Sequence, residues 1–453
     1  MTKAGTDVLP VSAWVERLPR YTSYPTAPHF EPLSAQTYHC WMHGIMAPKR
    51  VSLYVHIPYC KALCWFCGCH MKVTNRYDLV EAYLKALERE IVLVGQHFAK
   101  GIFVNFLHFG GGSPTILEPH DFERLMAALR QAFTFERKAE LAIEIDPRTV
   151  DEEKIVSYAR TGIGRVSLGV QDLELRVQEA VNRVQPFPLV RDVVAALRRN
   201  GILKINLDLI YGLPYQSLAS VARTARQVLS LAPSRIALFG YAHVPWMKRH
   251  QRLIPTAALP GDIERLEMYG AMARIFTESG YVAVGMDHFA RADDELVQAA
   301  RQKRVRRNFQ GYTTDDAEVL IGLGASAIGR LPQGFVQNTP NLKDYQHTLA
   351  AGRLATARGW LFEDHDLLFG DVIERLMSNL EVDLEAVAAK YGAPLSIFAN
   401  SLELLAPLVE ARVAAIEGAR IKLFTPHRMA IRAIAACFDQ YLGQSAARHS
   451  RVV

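Results

Sequence analysis

Between about residues 51 and 285, short runs rich in β-branched residues alternate with longer segments whose apolar residues recur at helical spacing. Several of the short runs are almost continuously apolar, which is typical of parallel strands buried on both faces. The alternation predicts right-handed βαβ units, and therefore an α/β fold with an open sheet or a full or partial barrel. The predicted strands are 51–57, 104–109, 141–145, 165–170, 204–209, 235–239 and 281–285. The predicted helices are 77–94, 119–133, 151–160, 188–200, 217–231 and 261–279.

The chain is expected to have three parts. Residues 1–50 form an N-terminal arm, which contains the extended Pro- and Tyr-rich stretch RYTSYPT at 20–26. Residues 51–290 contain the alternating strands and helices. After about residue 290 the alternation stops, so residues 291–453 are expected to form a mainly helical C-terminal domain. Its predicted helices are 367–380, 384–391, 402–408 and 428–442, with a two-strand pattern at 413–424 that suggests a winged-helix-like cap.

Polar and glycine residues recur where the predicted strands end. The cysteine-rich segment follows the first strand, and three consecutive glycines at 110–112 follow the second. Glu144 ends the third strand, Gln171 follows the fourth, and Asp208 lies near the end of the fifth. The carboxyl ends of parallel strands meet at one rim, where α/β folds bind their ligands. We therefore expect these residues to share one site.

Four of the six cysteines fall within ten residues, and three of these have the spacing CxxxCxxC. Cys60, Cys64 and Cys67 lie on one short loop, so their thiolates are able to surround one iron–sulfur cluster. Zinc is the alternative, although zinc sites usually pair two such units, and Cys40 and Cys437 supply no second pair. Cys69 is a possible fourth ligand. Three ligands would leave one iron open to a substrate or cofactor.

Composition excludes several classes of protein. No window approaches about 18 uninterrupted apolar residues, which excludes a membrane-spanning helix. The N-terminal sequence has no apolar stretch of signal-peptide type, so a cytoplasmic location is expected. The net charge of +6 is too small to indicate a partner by itself. The basic run RQKRVRR at 301–307 stands alone, without a recognised nucleic-acid-binding fold, so no nucleic-acid partner is expected.

The cysteine motif and the sequence GGGSPT at 110–115 together resemble the radical S-adenosylmethionine superfamily. The resemblance implies that the three cysteines hold a [4Fe-4S] cluster, whose fourth iron is chelated by the amino and carboxylate groups of S-adenosylmethionine. It places Phe66 near the adenine and the glycine-rich strand end at the methionine amino group. Only glycine lets a backbone approach a ligand so closely.

A narrower resemblance covers nearly the whole chain. The motifs HIPYCKALCWFCGC, GGGSPT, EIDPR, SLGVQD, NLDLIYGLP, GMDHFA and RNFQGYTT occur in one order. Together they resemble the oxygen-independent coproporphyrinogen III oxidase family. That resemblance implies a partial (β/α)6 TIM-like barrel with an N-terminal arm and a mainly helical C-terminal domain. Cys69 and the arm sequence RYTSYPTA favour this family over the related haem-chaperone branch.

The implied reaction converts two propionates of coproporphyrinogen III to vinyl groups, giving protoporphyrinogen IX in haem biosynthesis. A 5′-deoxyadenosyl radical removes a hydrogen atom from the propionate, and CO2 and one electron are then lost. The alternatives are a haem-trafficking protein, with His243, His288 and Tyr312 as possible haem ligands, and a radical enzyme acting on another tetrapyrrole. The implied partners are the substrate and a reduced flavodoxin-like or ferredoxin-like electron donor, and the implied state is a monomer.

The family pattern also assigns residues to the cofactors. It gives the cluster to Cys60, Cys64 and Cys67. The first S-adenosylmethionine would be lined by Tyr54, Phe66, Gly111, Glu144 and Ile328. A second molecule would be held by Gly112, Ser113, Gln171, Arg183, Asp208 and Ala242. Cations expected near the substrate propionates are Arg20, Lys248, Arg249, Arg291 and Arg307.

Overall fold

The computed structural model describes residues 17–47, 49–98, 101–424, 426–444 and 449–452. Within them, one sheet of 13 strands organises most of the chain. Twelve of its strands, numbered β1 to β12, are Lys49–Ile57, Ile102–Gly111, Phe135–Ile145, Arg165–Gln171, Lys204–Tyr211, Arg235–Gly240, Tyr281–Val284, His288–Arg291, Val319–Leu323, Ile328–Leu331, Gly334–Asn338 and Thr356–Leu361. The α-helices are Ala35–His43, Tyr77–Gly95, Pro119–Ala132, Glu152–Thr161, Leu175–Ala180, Phe187–Arg199, Leu218–Ser230, Asp262–Glu278, Glu295–Arg301, Leu342–Ala350, Asp364–Asn379, Leu384–Lys390, Ala399–Glu410 and Ile431–Ala436.

Strands β1 to β6 are neighbours in chain order and are all parallel, with a long helix after each. This confirms the predicted partial (β/α)6 barrel. Side chains along β1 alternate between its two faces. Val51, Leu53 and Val55 belong to the apolar core and are at most 1% exposed, whereas Ser52 and Tyr54 line the central cavity. The same alternation directs polar side chains of the other strands into that cavity.

The expectation that the chain after about residue 290 is mainly helical is wrong for residues 291–361. Strand β9 pairs in parallel with β1, with Val319 opposite Val51, and β10 to β12 continue the sheet in antiparallel fashion. These strands are short and hairpin turns connect most of them, so they lack the helical segments that marked the earlier units. The division of the chain at residues 50 and 290 stays a prediction, but residue 290 lies inside strand β8.

The rest of the C-terminal region is mainly helical, as predicted. Strand Ala414–Glu417 pairs with Arg420–Leu423 in antiparallel fashion, which confirms the two-strand pattern, and Glu381–Asp383 completes a three-stranded sheet. The predicted helix 428–442 is wrong in extent, because a 3-10 turn precedes a helix that ends at Ala436. Residues 1–16 of the predicted arm lie outside the described residues. No described helix is long and apolar enough to cross a lipid bilayer.

Charged side chains close the amino-terminal end of the barrel. The Arg165 guanidinium donates to Glu140 at 2.7 Å and also contacts Glu295, and Arg235 donates to Asp294 at 2.9 Å. The side chains of Arg165 and Arg235 are only 9% and 8% exposed. Buried charges of this kind need good pairing, because desolvation opposes them. This network leaves the carboxyl-terminal rim as the open end of the barrel.

Arg432 ties the arm to the C-terminus of the chain. Its side chain is buried, and it donates to the carbonyl oxygens of Pro19 at 3.0 Å and Val452 at 3.0 Å, and also to that of Leu18. Burial and the nearby Arg20 lower the pKa of Arg432 to about 9, and the carbonyl oxygens offset part of the desolvation. The guanidinium thus anchors the arm in addition to strand Glu31–Pro32, which pairs with β12.

We expect Arg432→Met to lower the free energy of unfolding by about 2–5 kcal/mol, because buried carbonyl oxygens lose their donor. The arm should also detach, so trypsin should cleave faster after Arg17 and Arg20, both of which are exposed. Urea unfolding and timed proteolysis measure the two effects. Arg412→Met, at an exposed position, is the control. Equal stability and equal cleavage rates in both variants would contradict this anchoring role.

Candidate active site

The cysteine loop lies over the carboxyl-terminal rim and is held by backbone contacts from several elements. Strand β1 ends at Ile57, and the Cys60 carbonyl oxygen accepts a hydrogen bond from the Thr74 amide at 3.0 Å. The Trp65 amide donates to the Val181 carbonyl oxygen at 2.9 Å. Loops without regular structure need such partners for their polar groups. The loop therefore keeps a fixed position relative to strands β1 and β4.

Two guanidinium groups point at Cys64. Arg148 and Arg183 donate to its Sγ atom at 3.3 and 3.4 Å, and both also pair with Asp146, at 2.6 and 3.2 Å. Burial opposes ionisation of Asp146, but the two guanidinium groups outweigh it and lower the pKa of that carboxyl. Guanidinium donors suit a negatively charged sulfur ligand, because their hydrogen bonds to it are charge-assisted. This donor set fits an iron–sulfur cluster.

The other thiols of the loop have different environments. Burial raises the pKa of Cys60 to about 12, with the neighbouring cysteines adding to the effect. A hydrogen bond from Cys69 lowers the pKa of Cys67 to about 6, and the same contact raises the pKa of Cys69. Cys67 is therefore the more readily ionised partner of the Cys67–Cys69 pair.

In the described parts of the chain, no three His, Cys, Asp or Glu side chains surround a point as one metal ion would require.

The glycine-rich end of β2 packs against the beginning of the cysteine loop. The Gly112 amide donates to the Ile57 carbonyl oxygen at 2.8 Å, and a Cβ atom on Gly112 would lie 2.8 Å from the Tyr59 carbonyl oxygen. Gly111 has a φ of 113°, and a Cβ atom there would lie 2.6 Å from the His56 ring. Only glycine fits these positions. The close approach leaves backbone atoms at the rim facing the cavity.

Aromatic and acidic side chains line the wall formed by β1, β2 and β3. The Glu144 carboxylate is 3.1 Å from His108 Nε2, and the ring of His108 stacks on Tyr54 with centroids 6.0 Å apart. The Tyr54 hydroxyl lies 3.0 Å from His56 Nδ1, and His56 Nε2 lies 3.0 Å from the His70 carbonyl oxygen. Burial lowers the pKa of His56 to about 4, so its ring is neutral. The ring must donate through Nε2, and Tyr54 donates to Nδ1.

The opposite wall, on β4 and β5, carries a second acidic group. Asp208 accepts hydrogen bonds from Ser167 at 2.8 Å and from Asn206 at 2.7 Å, and burial raises its pKa to about 6. Gln171, at the end of β4, has a φ of 66°. A non-glycine residue in this left-handed region is unusual, and strained positions tend to cluster at functional sites. These features make the second wall a candidate binding surface.

Most of the predicted site residues share one cavity of about 430 Å³. Those that line it are Cys60, Cys64, Cys67, Tyr54, Phe66, Gly111, Gly112, Ser113, Glu144, Gln171, Arg183 and Asp208. Three residues do not line it. Ala242 lies near Phe66, since Gln251 donates to the carbonyl oxygens of both. Ile328 lines a second cavity, and Arg20 donates to the Gly240 carbonyl oxygen at 2.9 Å.

Other cavity residues were not predicted from the sequence. Asp146 and Arg148 belong to the motif EIDPR, of which only Glu144 was predicted to be a site residue. The motif itself was the signal that could have identified them, and Arg148 contacts Cys64. His108 alternates with the buried Leu107 and Phe109 on β2, so strand periodicity would have placed it on the cavity face. Four more come from the motif RNFQGYTT, namely Asn308, Phe309, Gln310 and Thr313. That segment reaches the cavity through long-range folding, which gives no local signal.

The basic run at 301–307 is not a uniform charged surface. Lys303 contacts Glu381, Arg306 pairs with Glu374 at 3.0 Å, and the Arg307 side chain is only 5% exposed. Lys303 and Arg306 are thus ion-paired but still exposed, as are Arg301 and Arg304, whereas the Arg307 side chain is buried. The absence of a nucleic-acid partner stays a prediction.

The possible haem ligands are engaged in other contacts. His288 Nδ1 lies 2.7 Å from Asp287, and the Tyr312 hydroxyl donates to the Met377 carbonyl oxygen at 2.6 Å. His243 Nδ1 lies 2.9 Å from the Tyr241 hydroxyl. The Tyr312 hydroxyl is thus engaged, whereas the two histidine contacts are made through Nδ1 and do not bear on ligation through Nε2.

The raised pKa of Asp208 predicts a pH-dependent penalty on folding. Its carboxyl ionises near pH 4 when unfolded but near pH 6 when folded, so stability falls as pH rises through this interval. Asp208→Asn should therefore raise the free energy of unfolding at pH 7 by about 1–3 kcal/mol and have little effect near pH 4. Urea unfolding at both pH values measures this. A variant that is no more stable at pH 7 would contradict the prediction.

Comparison with known proteins places this geometry in a family. The model of the Radical SAM superfamily matches residues 54–228, which extend from β1 into the helix after β5. Among curated relatives, an oxygen-independent coproporphyrinogen III oxidase of Bradyrhizobium diazoefficiens is 47% identical and covers 98% of this chain and 99% of its own. The enzyme of that name from Escherichia coli is 40% identical, over 96% of each chain.

A solved structure agrees with these relatives. The coproporphyrinogen III oxidase HemN from Escherichia coli, described as a radical SAM enzyme, superimposes with a TM-score of 0.89 at 38% sequence identity. The match covers 94% of this chain and 100% of that one. A [4Fe-4S] cluster and S-adenosylmethionine are accordingly the cofactors of this fold, and the cysteine loop and glycine-rich rim fit them. The chain belongs to the oxygen-independent coproporphyrinogen III oxidase family of radical S-adenosylmethionine enzymes.

Proposed function

We infer that this chain oxidatively decarboxylates two propionates of coproporphyrinogen III, without oxygen, to give protoporphyrinogen IX. The observation that carries this inference is the shared cavity, in which the cysteine loop, the glycine-rich rim and two walls that each carry a carboxylate face one another in a chain of this family. When bound, the reduced cluster and S-adenosylmethionine supply a 5′-deoxyadenosyl radical that removes a hydrogen atom from a propionate. The protein binds, orients and shields the reacting groups.

We assign the cluster to Cys60, Cys64 and Cys67. The two guanidinium groups at Cys64 support this, since they stabilise negative charge on sulfur through charge-assisted hydrogen bonds. Hydrogen bonds to cluster sulfur atoms also influence the reduction potential. In our proposal Arg148 and Arg183 therefore both hold the cluster in place and tune the energy of its reduced state.

We place one S-adenosylmethionine on the wall formed by β1 to β3. Gly111, Tyr54 and Glu144 face the cavity there, and the carboxylate is suited to a ribose hydroxyl or an ammonium group. A second molecule is proposed on the wall formed by β4 and β5, where Asp208 and Arg183 face the cavity. The unpartnered buried Nε atom of Arg183 supports a further acceptor at this wall.

Anaerobic turnover tests the function directly. The reconstituted enzyme, S-adenosylmethionine, a chemical reductant and coproporphyrinogen III should yield both 5′-deoxyadenosine and protoporphyrinogen IX, quantified by chromatography after oxidation. Deoxyadenosine alone, even with a cell-extract electron acceptor, would reject this substrate. Stable haem binding with neither product would favour the trafficking function. The family of this chain leads us to expect no such binding.

Cys64→Ser should abolish the cluster, because serine replaces the ligand at which both guanidinium groups converge. Iron and sulfide content should fall to background, and 5′-deoxyadenosine formation should stop. Cys40→Ser, at an exposed cysteine on the first helix, is the matched control and should retain both. Full iron, sulfide and turnover in Cys64→Ser would refute the assignment.

We propose that the electron donor is an acidic one-electron carrier of flavodoxin-like or ferredoxin-like type. Segment 58–77 contains the cysteine loop and segment 240–261 lies against it, and neither contains an aspartate or glutamate. We call these two segments the cover. They are in direct contact, because Lys248 Nζ donates to the Cys69 carbonyl oxygen at 2.9 Å. Exposed Lys61, Arg249 and Arg252 make this cover basic, and such a patch attracts acidic partners.

All six cysteines are free thiols, which suits a cytoplasmic location, and we take the monomer as the working state.

Reversing charge on this cover should slow protein-mediated electron transfer specifically. The triple variant Lys61→Glu, Arg249→Glu and Arg252→Glu should lower the rate of cluster reduction by reduced flavodoxin roughly 10-fold or more at low ionic strength. Stopped-flow absorbance of the cluster measures this rate. Reduction by dithionite, which is small and needs no docking surface, should stay within about 2-fold of the wild type.

A matched triple variant tests whether position matters. Arg301→Glu, Arg353→Glu and Arg412→Glu change the same charge at exposed sites outside the cover. This control should be reduced by flavodoxin at nearly the wild-type rate. Equal slowing in both triple variants would show that only net charge matters and would reject the docking surface.

A further inference from the structure

A second cavity, of about 370 Å³, adjoins the first. Its walls are the arm at Tyr21–Tyr24, the segment containing Arg307, strands β9 and β10, and the helix Asp364–Asn379. The two cavities share the lining residues Asn308, Phe309, Thr313, Asp315 and Leu320. The two cavities are therefore adjacent.

Arg307 lines this second cavity with an incompletely paired guanidinium. Its side chain is 5% exposed and lies over the Tyr312 ring, 4.6 Å from the centroid. Its Nε and Nη1 atoms are buried and have no hydrogen-bond acceptor. The nearest carboxylate oxygen, on Asp287, is 4.0 Å from Nη1, which is too far for a hydrogen bond. Buried donors are rarely left unpaired, and unpaired ones call for an explanation.

The carboxylates around the cavity already have partners. Asp371 pairs with Arg375 and Lys390, and Glu374 pairs with Arg306. Glu318 contacts Lys49, Asp366 accepts from the Trp360 indole, and Asp315 contacts Ser52. None of these carboxylates makes an ion pair with Arg307 among the described residues. The acidic lining thus leaves the Arg307 charge available.

Asp287 cannot compensate for Arg307 alone. It also contacts His288 at 2.7 Å, and the charge of Arg20 acts on it as well. The arm places Arg20 near this carboxylate, while its guanidinium donates to a backbone carbonyl oxygen. The charges of Arg307 and Arg20 together therefore exceed that of Asp287, so the net charge is positive where the arm, β8 and the Arg307 segment meet. A planar guanidinium with free donors is suited to binding a carboxylate.

We propose that Arg307 binds a carboxylate of the substrate, on a propionate that is not decarboxylated, and that the second cavity holds the edge of the macrocycle that bears it. This inference rests on the proposed function. Coproporphyrinogen III carries four propionates and only two become vinyl groups, so two anionic groups stay bound through the reaction. Arg307 is then a positioning residue that fixes which edge of the macrocycle faces the first cavity.

The test combines a substrate change with a residue change. Coproporphyrinogen III is compared with an analogue in which the two non-reacting propionates are methyl esters. Binding to the cluster-loaded enzyme is measured at equilibrium without reductant, and KM and kcat are measured in turnover. Wild-type enzyme should bind the diester roughly 10- to 100-fold more weakly than the free acid, the range expected for hydrogen bonds to a charged group.

Arg307→Gln should lower the affinity for the free acid by a similar factor and change the affinity for the diester little or not at all. In turnover of the free acid, KM should rise while kcat stays within about 3-fold of the wild type. Arg307→Lys should recover part of the loss, because a point charge remains. Arg306→Gln is the matched control, since this neighbouring arginine is already paired with Glu374, and it should keep the full preference for the free acid.

Two results would overturn the proposal. One is an equal loss on the acid and the diester in Arg307→Gln, which indicates a merely structural role. The other is equal affinity of wild-type enzyme for both ligands, a result that needs no variant and stands even if Arg307→Gln fails to fold. Product formation from coproporphyrinogen III by wild-type enzyme reports on the proposed function separately, because the binding comparison requires no turnover.

Discussion

The active-site geometry depends on a close backbone contact between the glycine-rich end of β2 and the start of the cysteine loop. Gly112 donates to the Ile57 carbonyl oxygen, and no Cβ atom fits between it and Tyr59. The same strand end contacts Glu144, because the Gly111 amide lies 3.3 Å from its carboxylate. The Gly112 contact therefore sets the distance between the start of the cysteine loop and the glycine-rich rim. The Gly111 contact sets the distance between that rim and the first acidic wall.

The cavity contains polar groups that folding alone would not select. Asp208 is buried beside neutral partners, and its raised pKa records the desolvation. Gln171 occupies a left-handed conformation that costs free energy in a non-glycine residue. The charged network at the other end of the barrel is different, because its members pair with one another. Proteins commonly break such local rules at functional sites and compensate elsewhere, here through the continuous apolar core.

The arm and the C-terminal region complete the substrate side of the molecule. The Arg432 guanidinium holds the arm by donating to backbone carbonyl oxygens such as that of Pro19. The arm in turn forms one wall of the second cavity. The helix Asp364–Asn379 forms another wall, although it lies far along the chain from the barrel strands. Parts that lack the βα repeat thus supply surfaces that a six-unit barrel alone would leave open.

The sequence by itself determined the six βα units and the motif residues at the carboxyl ends of their strands. Both follow from local patterns, since apolar periodicity predicts each element and parallel strands must present their ends at one rim. Only the tertiary structure decided which residues meet across that rim. Arg148 and Arg183 converge on Cys64 from segments that follow different strands, and β9 pairs with β1 across more than 260 residues of chain, as Val319 lies opposite Val51. Such contacts depend on long-range packing, and a local sequence pattern carries no record of the partner.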